Sequence, residues 1–365
     1  MLDRRRLVTS PLAARTNRVS IDEAALDPDA EPPRLAPRTA QGVRELASSV
    51  RVARERGRPR MIAFGAHTIK NGAGPLLARM IEEGWFTLLA TNGAGIIHDW
   101  EFAFLGESSE HVAENVAAGR FGLWEETGRY LNLALAVGAW RGLGYGASVG
   151  AMIAEGGLEI PSRDELLAAI GRAAEDPARA AAAADLLDVA ARAGLEPGWM
   201  AVPHERAGSS LQAVAFRLGV PLTGHPMFGH DIIYTHHLNL GSAVGRTAER
   251  DFLRYADEVS RIDGGVYLSV GSAVMSPMVF EKSLSMAINL ALQQGRSITN
   301  HSIFVVDLAE STWDWQRDGE PPPDNPAYYV RFMKSFSRMG GSTTYLCGDN
   351  ASVLANLYHL LRDGG

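Results

Sequence analysis

Short apolar runs that each stop at a small-residue turn and give way to a helical pattern constrain this chain more than anything else in it. Met61–Phe64 ends in Gly65, Phe86–Ala90 runs into Thr91-Asn92-Gly93-Ala94-Gly95, and Val266–Val270 closes on Gly271-Ser272. Runs of four or five apolar residues are too short for helices and lack the alternation of a half-wetted sheet. They predict strands covered on both faces. Val220–Leu222, Ile303–Val306 with Asp307 at its end, and Thr344–Leu346 read the same way. Between the strands, helical periodicity covers 39–58, 74–84, a segment through Ile96, Trp100 and Phe104, most of 122–195, and then 211–218, 246–262, 277–294 and 350–361. Strand, turn and helix repeated in this way predict an α/β fold: a doubly wound, mostly parallel Rossmann-like sheet with helices on both faces.

No internal repeat or linker interrupts residues 39–365, so they are expected to form a single domain. Residues 1–38 carry Arg4, Arg5, Arg6, Arg15 and Arg18, then acids from Asp22 to Glu31, then the proline-rich stretch Glu31–Pro37. This composition predicts a flexible arm, able to wrap a partner, and lacks the apolar core of a secretory signal. No apolar run approaches the roughly 18 residues of a membrane span. A net charge of −7 argues against a nucleic-acid surface. One cysteine, Cys347, leaves no internal disulfide and suits a cytoplasmic setting.

Ligands of an open parallel sheet bind beyond the carboxyl ends of the strands. The candidate cofactor residues are therefore those of the turns: Gly65, His67 and Thr68; Asn92, Gly93, Ala94 and Gly95; Gly271 and Ser272; and Asp307. Glycines admit a phosphate close to the backbone, and several such turns together suit a dinucleotide, although neither GxGxxG nor a P-loop motif is present. The segment Gly224–His237 holds His225, His230, Asp231, His236 and His237. It reads either as a metal site or as a polar loop whose one anion, Asp231, suits a cationic amine. Glu125-Glu126 is expected to face solvent. Against 32 arginines stand three lysines: Lys70 near a turn, Lys282 beside Glu281, and Lys334 after an aromatic stretch. A buried lysine loses its proton and becomes a nucleophile, which arginine does not, so Lys334 is the candidate for covalent chemistry.

In order and spacing these segments resemble the deoxyhypusine synthase family, in its bacterial branch, from about residue 60 to 361. Phe64–Gly74 and Thr91–Asp99 resemble the family's NAD-contacting turns, adding His98 and Asp99. Gly229–Ile233 resembles the segment with the amine-binding aspartate, Asp231. Gly348-Asp349 resembles an NAD contact, and Lys334 falls where the family keeps its imine-forming lysine. The resemblance implies NAD as cofactor, with no metal. It also implies oxidation of a polyamine or other alkylamine, passage of its aminoalkyl group through Lys334, and a cytoplasmic homotetramer with sites at dimer interfaces. It implies substrate contacts from His225, His230, Asp231, Ser276, Asp314, Tyr328 and Phe332. The pattern departs at Phe332 (a tryptophan in the family), Tyr328 (an acid), Ser276 (a histidine) and His98 (a glutamate). Two other readings remain open: a metal-dependent hydrolase built on the 225–237 cluster, and a non-catalytic NAD-binding relative.

Overall fold

A computed structural model describes residues 2–363, without the side chain of Arg331; Met1, Gly364 and Gly365, the outer ends of the two expected segments, lie outside the described residues. The chain divides into two compact units. One comprises residues 24–95, 220–222 and 252–365; the other comprises 1–23, 96–219 and 223–251.

The first unit is built on the expected sheet. Its strands are β1 (Arg60–Phe64), β2 (Leu88–Asn92), β4 (Val266–Val270), β5 (Ser302–Asp307) and β6 (Ser342–Cys347), together with Leu222, the first residue of β3 (Leu222–His225). They lie in the order β3-β2-β1-β4-β5-β6. The pairings β1–β2, β1–β4, β4–β5 and β5–β6 are parallel, with Phe64 level with Thr91 on one side and Val270 on the other. Every residue of β1 and β4 is buried, so neither needs the polar alternation of a one-sided sheet. The helices are α1 (Pro37–Glu55), α2 (Gly74–Glu82), the start of α3 (Gly93–Leu105), α4 (Met275–Gln293) and α5 (Asn350–Asp363). Pro37 opens α1, where a missing N–H costs nothing, and Val43, Leu46, Ala47 and Val50 form its buried stripe. One core cluster joins Met61, Leu88 and Ile303 of the sheet to Phe280 and Leu284 of α4 and to Met333 and Phe336.

The second unit is mainly helical, with helices Glu125–Arg141, Tyr145–Glu155, Arg163–Gly171, Pro177–Ala193 and Leu211–Leu218. Two small antiparallel ribbons join it, Asn17–Ser20 with Glu107–Glu110 and Gly157–Ile160 with Gly198–Ala201.

The expected boundary at residue 38 is not where the chain divides, and residues 2–23 are no loose arm. Arg15 makes a two-pronged ion pair with Glu101, both bonds 2.7 Å and both side chains almost wholly enclosed. Thr9 Oγ1 donates to Glu125 (2.7 Å) and the Leu12 N–H to Glu126 (2.6 Å), so the acidic pair expected to face solvent instead fastens the N-terminal segment. The arginine-rich composition that suggested disorder supplies a buried partner for Glu101. Among the described residues no helix is long and apolar enough to cross a membrane.

Candidate functional site

Strand order reverses between β1 and β4, and at that switch point the strands end in glycine. Gly65, in extended conformation, caps the short helix Ala66–Lys70; Gly271 takes the left-handed φ of +56° that favours glycine. The two touch: a Cβ on Gly65 would overlap the Gly271 carbonyl oxygen and lie 3.2 Å from its carbonyl carbon. A Cβ on Gly271 would collide with the Asn350 side-chain amide. Backbone bonds lash the strand ends together, Gly65 N to Val270 O (3.1 Å) and Gly271 N to Val306 O (2.9 Å). The reversal point therefore opens on bare backbone.

Around it stand small neutral polar groups. Thr68 accepts from Asn350 Nδ2 (3.4 Å), and Ser272 Oγ accepts from the Ser276 N–H (3.2 Å) at the start of α4. At the end of β2, Asn92 Oδ1 accepts from the Gly95 N–H (2.9 Å), setting the first turn of α3 through Gly93 and Ala94. Thr91 Oγ1 donates to Phe64 O (2.9 Å), tying β2 to β1. Asp307 holds the Ala309 N–H (3.1 Å) with its carboxylate, and His67 is exposed. Asn350 was missed by sequence reasoning; its signal was its place directly after a strand-end Gly348-Asp349.

Other expected site residues have structural work. Asp349 caps α5, accepting from Ser352 N (2.8 Å) and Oγ (2.9 Å). Asp314 likewise caps the helix Trp315–Asp318. Ser276 is wholly buried under the turn, in a hydroxyl chain running Tyr255 OH to Tyr267 OH to Ser276 Oγ, each link 2.8 Å. Asp99 and His98 belong to the helical unit. Asp99 is enclosed by Ser210 Oγ, the Leu211 N–H and both nitrogens of Gln212, at 2.6–3.1 Å, and heads the helix Leu211–Leu218. Burial raises its pKa against the pull of those bonds. His98 Nδ1 meets Ser108 Oγ (2.6 Å), which donates to Glu101.

Lys334 is not the neutral amine expected. Burial alone lowers an ammonium's pKa, but the hydrogen bonds to Glu320 and Tyr328 outweigh it, and the net shift is upward. Its Nζ lies 2.8 Å from Glu320 and 3.2 Å from the centre of the Tyr328 ring, while Arg338 shares the same carboxylate. Phe332 packs on the core instead, its ring 6.4 Å from that of Tyr345.

The histidine segment does not converge. His225, pushed down to about 4 by burial, bonds Thr223 Oγ1 (2.9 Å); His236 faces Glu125 (3.3 Å); and His230 is exposed. Among the described residues no three His, Cys, Asp or Glu side chains are grouped to hold a metal. Asp231 is different. Its Oδ2 is buried without a hydrogen-bond partner among the described residues, and burial pushes the carboxyl up to about 7. The Tyr234 hydroxyl, one turn further, is also buried without a hydrogen-bond partner among the described residues, and its pKa is raised, first by burial and then by Asp231. The fully buried Tyr145 phenol is raised by burial and by the charges of Asp231, Tyr234 and Asp251. Asp251, also up to about 7 through burial, accepts the Gly146 and Gly224 N–H groups (2.9 and 2.7 Å).

The turn carrying Asp231 and Tyr234 is pinned through its carbonyls. Asn132 donates to Ile233 O (3.0 Å), Arg4 donates to Tyr234 O (2.9 Å), and Thr235 Oγ1 donates to Gly122 O (2.6 Å). Fixed oxygens short of donors are what an ammonium group satisfies. Tyr234 went unnoticed in the sequence; its signal was the Asp231-x-x-Tyr234 spacing.

No protein-family model matches the chain, and no curated protein matches it. Solved structures do. Unliganded AgrE is similar at 14% identity and a TM-score of 0.45, over 91% of this chain and 34% of AgrE. ArgZ, an arginine dihydrolase of the ornithine–ammonia cycle in cyanobacteria, is similar at 13% and 0.42, over 91% and 33%. A conserved LOR/SDH protein from Methanococcus maripaludis is similar at 13% and 0.45, over 93% and 74%. AgrE has also been solved in a ternary complex with ornithine and NAD+. The chain spans about a third of the length of AgrE and ArgZ. None of these is a deoxyhypusine synthase. The resemblance read from the sequence is overturned, and the homotetramer it implied is left without support.

Proposed function

We propose that this chain is an NAD-dependent enzyme acting on a small amine: the sheet unit offers a place for the dinucleotide, and the helical unit offers at Asp231 a place for an ammonium group. The observation that carries the reading is the meeting of Gly65 and Gly271 at the reversal point of a 3-2-1-4-5-6 sheet, the place where such sheets receive dinucleotides. The residues there fit the group: side-chain-free backbone for a pyrophosphate, and the hydroxyl and amide groups of Thr68, Asn92, Ser272 and Asn350 for ribose and carboxamide. When bound, NAD supplies a hydride acceptor. The chain's own contribution on the amine side is the pair of partnerless oxygens, Asp231 Oδ2 and Tyr234 OH. They anchor a cation. Aminoalkyl transfer through Lys334 forms no part of the proposal, because Glu320 and Tyr328 hold that side chain as an ammonium.

Calorimetric titration of NAD+ tests the first half. Binding is expected in the wild type and is lost in Gly65→Ala, whose methyl group forces the β1 and β4 ends apart; circular dichroism checks that this variant is folded. Asp231→Asn is expected to keep NAD+ binding and lose amine-dependent formation of NADH. Failure of the wild type to bind NAD+ or NADH at millimolar concentration overturns the reading.

A further inference from the structure

Helix α4 buries one face on the sheet through Phe280, Leu284, Ala287 and Ala291. Beside the exposed polar residues Glu281, Lys282, Ser285, Asn289 and Gln293, its outer side carries an apolar row. At every fourth position from its cap onward stand Val274, Met278, Lys282, Met286 and Leu290, and the four apolar members are 60%, 48%, 41% and 55% exposed. Residues four apart form a continuous ridge on a helix. This ridge reads the same in both directions about Lys282: two apolar residues, one lysine, two apolar residues. Its charge is also self-complementary. Lys282 Nζ sits 2.8 Å from Glu281, both exposed, and Arg338 lies near enough to Glu281 to feel its charge. An interfacial membrane helix would carry Lys and Arg along its polar side, and this face holds a single, already paired lysine.

We propose that this ridge is the contact surface for a second copy of the same chain, paired with α4 antiparallel about a two-fold axis beside Lys282. A two-fold axis there sets Met278 of one copy toward the Met286 position of the other and Val274 toward Leu290. It also brings two Glu281–Lys282 pairs together, where each lysine can exchange one carboxylate for the other. Contacts of this isologous kind are the commonest way soluble chains assemble. A surface centred on one helix lies at the small end of specific interfaces, below about 1,200 Å² in total, so a weak, reversible dimer is expected.

Sedimentation velocity of the full chain tests this from about 1 to 200 µM, a range set by that interface size. The 39.3 kDa monomer is expected to approach twice its mass as concentration rises. Lys282→Glu, which gathers four carboxylates at the axis, should raise the midpoint at least about tenfold. Adding Glu281→Lys to it should restore the wild-type midpoint. In a Cys347→Ser background, Lys282→Cys should form an interchain disulfide under mild oxidation, while Met278→Cys alone should not. A chain that stays monomeric at the highest concentration overturns the proposal. So does a dimer indifferent to both the charge reversal and the cysteine, because the contact would then lie elsewhere.

Discussion

Asp231→Asn should change how stability depends on pH, by an amount set by the burial of that carboxyl. In the folded chain the group titrates at about 7, and burial is the cause. In the unfolded chain it titrates near 3.9. Between roughly pH 4 and pH 7 the native carboxyl keeps a proton that the unfolded chain has released, so stability falls as pH rises through that window and levels off above it. Three units of difference correspond to a ceiling of about 4 kcal/mol, at 1.36 kcal/mol per unit. Relaxation of the turn brings the expected effect to about 2 kcal/mol. Asparagine has the same shape and no charge to lose. The variant should match the wild type near pH 4.5 and exceed it by about 2 kcal/mol at pH 8. Urea unfolding followed by tryptophan fluorescence at the two pH values reads this directly. Equal wild-type-to-variant differences at both would refute the buried, partnerless carboxyl. Asp251, also at about 7, keeps its own contribution in both proteins and cancels from the comparison. A ligand ammonium would stabilise the charged carboxylate, so amine binding near pH 6 should release protons, measurable by calorimetry in two buffers of different ionisation enthalpy.

Arg15→Ala leaves Glu101 enclosed without its cation and should cost about 3–5 kcal/mol in urea unfolding; replacing both residues with apolar side chains of similar volume should recover much of that. Because Lys334 is held as a cation, borohydride added with amine and NAD+ should leave no adduct on it by mass spectrometry, whereas a trapped imine there would refute its assignment to the Glu320 ion pair.

The sheet was legible because burial on both faces writes itself as uninterrupted apolar runs: Val266–Val270 matches the observed strand exactly and Met61–Phe64 misses only Arg60. Arg60 escaped because a buried arginine looks polar in sequence. Here its guanidinium is satisfied by the Trp85 and Arg58 carbonyls (2.9 and 2.7 Å). Helix Leu211–Leu218 was equally plain, bounded by Ser210 and Gly219. The glycine turns were found for the right reason, since chain reversal without a Cβ is a local property. What stayed hidden was pairing across sequence distance. Nothing near Arg15 announces Glu101, and nothing near Lys334 announces Glu320, fourteen residues earlier. Asp349 was read as a ligand contact because a cap and a binding aspartate occupy the same kind of position at a helix start, and Asp99 because nothing local announces its distant partners Ser210, Leu211 and Gln212. The Asp231 loop was noticed for its histidines, yet what distinguishes it is two oxygens left without donors.

The division of the chain also bears on how it is made. It passes from one unit to the other after residues 23, 95, 219, 222 and 251, so neither unit is a continuous stretch. On a ribosome the helical unit has all its parts once Asp251 emerges. The sheet, by contrast, begins with β1 and β2 and waits some 170 residues for β4, the neighbour that covers the other edge of β1. A nascent chain thus carries β1 with one edge uncovered through nearly half of its synthesis, the kind of surface that recruits chaperones or aggregates. No truncation before α5 leaves a finished sheet unit, and no single cut releases either one intact.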